Sequence, residues 1–172
     1  RVLSRLVQEG KILRIQNSIY YKPEFNRFLK GRPVPPDVNE VIKVISNRNK
    51  ETLQIHGSSA VNKLGLSTQV PLTKVFYTNG PSREVIIAGT RVKFIHTENQ
   101  NILQASGTEV GMALSALIFL GREHVDQEVV RQVKSRLSEN HFKRLKRMQM
   151  SSWLKERLSD PAVKESSYAL AG

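Results

Sequence analysis

The sequence predicts an α+β protein, and three observations predict it. Helical apolar spacing in the first ten residues gives way at once to two short strand-like runs. Between Leu53 and Ile95, runs rich in β-formers alternate with turn signals and one short helical stretch. From Thr108 onward only helical spacing remains. The implied architecture is a small helix-and-ribbon unit joined to a mixed α/β domain that ends in a helical bundle.

The first element is amphipathic. Val2, Leu3, Leu6 and Val7 share one face, while Arg1, Ser4, Arg5 and Gln8 recur at i, i+3, i+4, i+7 on the other. Gly10 fits the left-handed position that closes a helix. Lys11 to Ile15 and Ser18 to Lys22 then read as two strands about a Gln16-Asn17 turn. A helix followed by a basic hairpin is how a winged helix-turn-helix ends, as recognition helix and wing. The same residues also read as an ordinary helix packed on a two-stranded ribbon, and pattern alone does not separate the two. Under the first reading, two further helices are expected ahead of Arg1, because a bare helix and hairpin bury too little apolar surface to stand alone.

The remaining elements follow in order. Residues 1–30 are the C-terminal part of the winged unit. Gly31-Arg-Pro-Val-Pro-Pro36 places three prolines in four residues, which forbids regular helix and marks a linker over 31–36. The α+β domain spans 37–159. Asp37 caps a helix to about Asn47 whose buried stripe is Val38, Val41, Ile42 and Ile45. Leu53 to His56 is a short strand, Gly57 to Leu64 a short helix ended by Gly65, and Lys74 to Thr78 a strand. Asn79-Gly-Pro-Ser82 is a turn, and Glu84–Ala88 with Arg91–Ile95 form a hairpin about Gly89. Thr108 to Leu120 is apolar nearly all round and is the expected central helix. Asp126–Leu137, Glu139 to about Gln149, and Ser152–Leu158 complete the bundle. Residues 160–172 carry no packing pattern and are expected to form a flexible tail.

Charge is concentrated at two places. The 172 residues carry a net charge of +12. Residues 1–32 hold eight Lys/Arg against two Glu, and residues 131–157 hold nine against two, whereas 33–130 is neutral with nine of each sign. Two basic ends around a neutral middle suit footprints on a polyanion; a solvated basic face is the plainer alternative. There are no cysteines, so disulfides and thiolate metal sites are excluded, an absence that fits a cytoplasmic protein. Met112 to Leu120 is the most apolar stretch and is too short to span a bilayer. No membrane partner is expected.

Two longer runs carry a resemblance. Gly57-Ser-Ser-Ala-Val-Asn-Lys-Leu-Gly-Leu-Ser-Thr-Gln-Val-Pro71, followed by Val75-Phe-Tyr-Thr-Asn-Gly-Pro-Ser-Arg83, resembles the AbiEi-type antitoxin and transcriptional-regulator family of bacteria. Leu3-Ser-Arg-Leu-Val-Gln-Glu-Gly-Lys-Ile-Leu-Arg-Ile15 and Ile19-Tyr-Tyr-Lys-Pro23 match that family's recognition helix and wing in order and spacing. The resemblance runs from Arg1 to about Leu158. It implies a winged helix with a C-terminal antitoxin-like domain, a repressor that binds double-stranded DNA at its own promoter. It also implies an antitoxin that counters a nucleotidyltransferase-like toxin in the type IV manner, without a stable complex. Gln16-Asn17 stands at the wing tip where the family often has arginine, so no charged contact from the tip is implied.

The DNA-binding candidates are therefore Arg1, Ser4, Arg5, Gln8, Lys11, Arg14, Gln16, Asn17 and Lys22. Arginine grips guanine bidentately and glutamine reads adenine, so Arg1, Arg5 and Gln8, with Ser4, would face the groove. Lys11, Arg14 and Lys22 would hold phosphates and set register. With about five phosphate contacts, log affinity should fall against log salt with a slope near −4.5. Lys143, Arg144, Lys146 and Arg147 form a second basic cluster. It underlies the alternative reading, an RNA- or acidic-protein-binding module built on the C-terminal helices, with Tyr20, Tyr21, Phe142 and Trp153 as stacking candidates. A purely structural or assembly role is a third.

No catalytic, metal or cofactor site is expected. His56, His96, His124 and His141 lack metal-ligand spacing. His56 beside Ser58 and Ser59 suggests a nucleophile and base, yet it has neither the glycine framing of a nucleophile elbow nor an acidic third member. A structural histidine at a strand end is the reading adopted.

Overall fold

A computed structural model of the chain describes residues 2–16 and 18–160. The readings made for Arg1, Asn17 and the tail from residue 161 onward lie outside the described residues. Within them the fold is α+β, with eight α-helices and two sheets.

Helix α1 (Val2–Gln8) closes where Gly10 adopts φ +68°, and the Lys11 N–H returns to the Leu6 carbonyl. Strands β1 (Leu13–Gln16) and β2 (Ile19–Tyr21) form the expected antiparallel hairpin, shorter at its outer ends. Leu13 faces Tyr21 and Arg14 faces Tyr20, and the register slips between Arg14 and Gln16. A 3-10 turn at Arg27–Leu29 follows, which sequence periodicity did not disclose because a single turn repeats no spacing.

Helix α2 (Val38–Asn49) starts as expected, with the Asp37 carboxylate accepting from the N–H groups of Asn39 and Glu40. Such a cap contributes about 1 kcal/mol. The helix runs two residues beyond the expected Asn47 and ends at Lys50 in the left-handed region. Strands β3 (Leu53–Ile55), β4 (Lys74–Thr78), β5 (Arg83–Ile87) and β6 (Thr90–His96) form one sheet in the order β3-β4-β6-β5. Strand β6 inserts between β4 and β5, parallel to β4 and antiparallel to β5. Helix α3 (Gly57–Lys63) links β3 to β4, and α4 (Gln100–Leu103), a single turn absent from the sequence reading, leads into the bundle.

The bundle comprises α5 (Glu109–Leu120), α6 (Gln127–Arg136), α7 (Glu139–Arg147) and α8 (Ser152–Ser159). Thr108, Asp126 and Ser138 cap the first three through their side-chain oxygens. Helix α5 is central, as its all-round apolar sequence predicted, with Val110, Ala113, Leu114, Ala116 and Leu117 fully buried.

Two apolar cores result. One gathers α3, α5, α6, α7 and α8. The other lies between α2 and one sheet face, where Val41, Ile42 and Ile45 meet Val92, Phe94 and Ile87. The hairpin belongs to this second core through buried Ile19 and flanking Ile15. Free carbonyls on the outer edge of β3 are covered across the boundary: the Ser106 hydroxyl donates to Leu53 and the Ser115 hydroxyl to Ile55. Among the described residues no helix is long and apolar enough to cross a membrane.

Candidate nucleic-acid interface

Ser4, Arg5 and Gln8 are exposed along α1, in the row their spacing predicted. The opposite, apolar face is not buried: Val2 and Leu3 are 66% and 50% exposed, and Leu6 and Val7 are half-buried. Glu9 sits between two of the candidate cations. Its carboxylate lies 3.5 Å from Arg5 Nε and 2.8 Å from Lys11 Nζ. Both pairs are solvent-exposed and worth at most about 1 kcal/mol, so a phosphate can displace Glu9 from either.

The hairpin places its two faces differently. Ile19 turns into the core beneath α2, which orients the ribbon and leaves Arg14 exposed. Arg14 Nε donates to the Gln16 carbonyl across 3.4 Å. Gln16 itself is half-buried and lines a crevice of about 240 Å³ with Ile45, Arg48, Arg83 and Val85. Its side chain thus belongs to the joint between hairpin and core. Lys22 is exposed at the end of β2. The structure therefore groups Ser4, Arg5, Gln8 and Lys11 on one helix and its turn, with Arg14 and Lys22 on the adjoining ribbon.

The second basic cluster is less uniform. Lys143, Arg144 and Arg147 are exposed, but Lys143 is bonded to Glu139 at 2.7 Å and its ammonium draws that carboxyl below its usual pKa. Lys146 is half-buried, its ammonium 5.9 Å from the Phe142 ring centre. Arg144, Lys146 and Arg147 also lie in the last turn of α7, where cations complement the helix dipole. Of the stacking candidates, Phe142 is buried, and Trp153, Tyr20 and Tyr21 are half-buried.

In and beside the runs 57–71 and 75–83, several residues serve packing and capping. His56 Nδ1 accepts from the Ser58 N–H at 3.2 Å and lies 2.9 Å from the Ser58 hydroxyl, so the imidazole caps α3. Its ring packs against Tyr77 at 4.7 Å and Phe119 at 5.4 Å, and burial holds its pKa below the ordinary 6.5. Gly57 sits where α3 meets α5, and a Cβ there would collide with Phe119. Farther on, Arg83 grips Glu51 with two hydrogen bonds of 2.9 and 2.6 Å and lies 4.4 Å over the Phe94 ring. Asn79 Oδ1 accepts from Thr52 N–H, and Ser82 Oγ accepts from His96 N–H. These contacts pin the β4–β5 turn to the start of β3 and the end of β6.

His96, His124 and His141 each hold a local partner through Nδ1: the Gly80 carbonyl, the Leu120 carbonyl and Glu109. Among the described residues no group of three or more His, Asp or Glu is placed to hold a metal ion.

Sequence reading took the segment after the hairpin as the end of the winged unit and a Pro-rich linker, and assigned it no functional residue. Phe25 forms an isolated bridge to Pro33, and the Val34 N–H returns to the Glu24 carbonyl at 2.7 Å. This closes a loop in which Phe28 is 93% exposed. Three cations within four residues of that aromatic were the available signal.

A family model described as a family of unknown function (DUF6088) matches residues 1–145. No curated protein and no solved structure matches the chain.

Proposed function

The chain belongs to this family of unknown function, and from its own surface we propose that it binds double-stranded DNA through α1 and the β1–β2 hairpin. The observation that carries this reading is one arrangement. An exposed row of Ser4, Arg5 and Gln8 precedes a ribbon that bears Arg14 and Lys22 outward and is anchored through Ile19. Groups on the helix suit base edges, and cations on the turn and ribbon suit phosphates. No bond-making step is assigned to it: the reading is of a binding protein that represses its own promoter.

The antitoxin role is the further part of the proposal. It rests on the resemblance of residues 57–71 and 75–83 to AbiEi-type antitoxins, with a nucleotidyltransferase-like toxin as the counterpart and the cytoplasm as the location. Because Gly57, Ser58, Asn79 and Arg83 serve packing and capping, the resemblance speaks for a common scaffold more than for a toxin-facing surface. The basic end of α7 is the alternative site, for RNA or an acidic protein. Two of its four candidate cations are already engaged within the molecule.

Fluorescence anisotropy tests the DNA reading, with a duplex from upstream of the protein's own coding sequence, a scrambled duplex, and two salt concentrations. The upstream duplex should bind at least about 100-fold tighter, within the range for specific over non-specific binding. Replacing Arg5 and Gln8 by Ala should remove that preference. Equal and weak binding to both duplexes would reject the repressor reading. Retained preference in the Arg5/Gln8 variant, lost when Lys143, Arg144 and Arg147 are replaced, would move the site to α7.

A further inference from the structure

The loop that follows the hairpin has an unusual composition for its degree of order. Asn26 caps the 3-10 turn by accepting from the Phe28 N–H at 2.9 Å, and the Lys30 N–H returns to the Arg27 carbonyl at 3.3 Å. The Phe25–Pro33 bridge closes its base, beside buried Pro23. The backbone is thus held in place by hydrogen bonds, while the side chains of Arg27, Phe28, Lys30 and Arg32 are exposed. Phe28 is 93% exposed, which forgoes the roughly 2 kcal/mol available from burying a phenyl ring. Arg27, Lys30 and Arg32 flank it in the sequence, all exposed and, among the described residues, without an ion pair or hydrogen-bond acceptor for their charged groups.

We propose that this loop is a second contact with duplex DNA, in which Phe28 stacks on a base while Arg27, Lys30 and Arg32 hold the flanking phosphates. The inference rests on the DNA-binding reading and extends its footprint beyond helix and wing. Charge complementarity selects the partner: an exposed aromatic on a loop that carries three exposed cations fits a polyanion that also offers flat apolar surface, and nucleic acid supplies both. The comparison within the molecule is informative. Leu72 is 98% exposed and Val70 75%, on a loop from Leu66 to Thr73 with no charged residue, so nothing there favours a polyanion. Position agrees as well. Phe25 lies four residues after Tyr21 of β2, so the loop begins within about 14 Å of the ribbon by chain length alone. Apolar side chains inserted at a base step work by partial unstacking, which is easiest at pyrimidine–purine steps. Such a contact adds affinity without hydrogen bonds to base edges, so it discriminates between duplexes far less than the helix does.

Anisotropy with the full chain tests this. Phe28→Ala should weaken binding about tenfold for the upstream and the scrambled duplex alike, the size of one base–aromatic stack. Its slope against log salt should match that of the unaltered protein, and Phe28→Trp should restore affinity. Replacing Arg27, Lys30 and Arg32 by Gln should flatten the slope by about 2.7. Unaltered protein that binds duplex, with Phe28→Ala binding equally well, overturns the loop contact and leaves the helix-and-wing reading standing. Failure of the unaltered protein to bind either duplex removes both. A melting temperature lowered by several degrees, or an altered oligomeric mass, for Phe28→Ala would mean that Phe28 packs on protein, and would also overturn the inference.

Discussion

The imidazole of His56 joins three elements, capping α3 through Nδ1 while its faces meet Tyr77 on β4 and Phe119 on α5. Because burial lowers its pKa, the native state resists protonation that the unfolded chain accepts near 6.5. The unfolded state then binds more protons below that pH, so stability is fully present above pH 6.5 and declines as pH falls toward the native pKa. His56→Asn retains an N-capping acceptor and lacks the titration. Urea unfolding of both proteins from pH 7.5 to 5 should show a decline in the unaltered protein that the variant lacks; parallel curves would reject the assignment. The His-Gly-Ser signal was readable in the sequence, and so was its structural meaning at a strand end. What spacing did not supply was the pair of rings that bury it, since Tyr77 and Phe119 stand 21 and 63 residues away.

At the scale of elements, most boundaries were legible. Capping residues, glycine at helix ends and the change of period act over a few residues, so the Asp37 cap was readable and the expected starts at Thr108, Asp126 and Glu139 fall within a residue of the helices, where Thr108, Asp126 and Ser138 cap them. Elements of a single turn were not legible, since one turn offers no recurring spacing, which is why the Arg27–Leu29 turn and α4 went unread. Spacing did predict the polar row on α1, yet it gave no warning that Glu9 would reach both Arg5 and Lys11. That carboxylate competes with phosphate. Glu9→Gln should therefore tighten duplex binding about two- to fivefold, as expected for release of two weak surface pairs. The effect should shrink at high salt, where screening weakens both competitors. Unchanged affinity at low salt would place Arg5 and Lys11 outside the contact.

The whole molecule holds together through its boundary. The hairpin sinks Ile19 into the core of α2 and the sheet, and Ser106 and Ser115 tie β3 to the bundle. A disturbance beneath the hairpin should be felt in the bundle. Ile19→Ala removes most of a side chain that is 5% exposed, and should cost about 2–4 kcal/mol. Far-UV circular dichroism and the fluorescence of Trp153, which packs on the other core, should report the same lowered urea midpoint. A midpoint that moves for dichroism alone would mean that the two cores unfold separately.

The sequence by itself determined the α+β class, the order of the longer elements, the apolar central helix and the two basic ends. Each follows from propensity, period or charge carried by neighbouring residues. Only the tertiary structure decided that β6 lies between β4 and β5, that Arg83 meets Glu51, and that Gln16 lines a joint. It also decided that Phe28 stands in solvent. Strand order and burial depend on which surfaces meet across long stretches of chain. No local pattern records that choice, because a phenylalanine reads the same in the sequence whether or not another element comes to cover it.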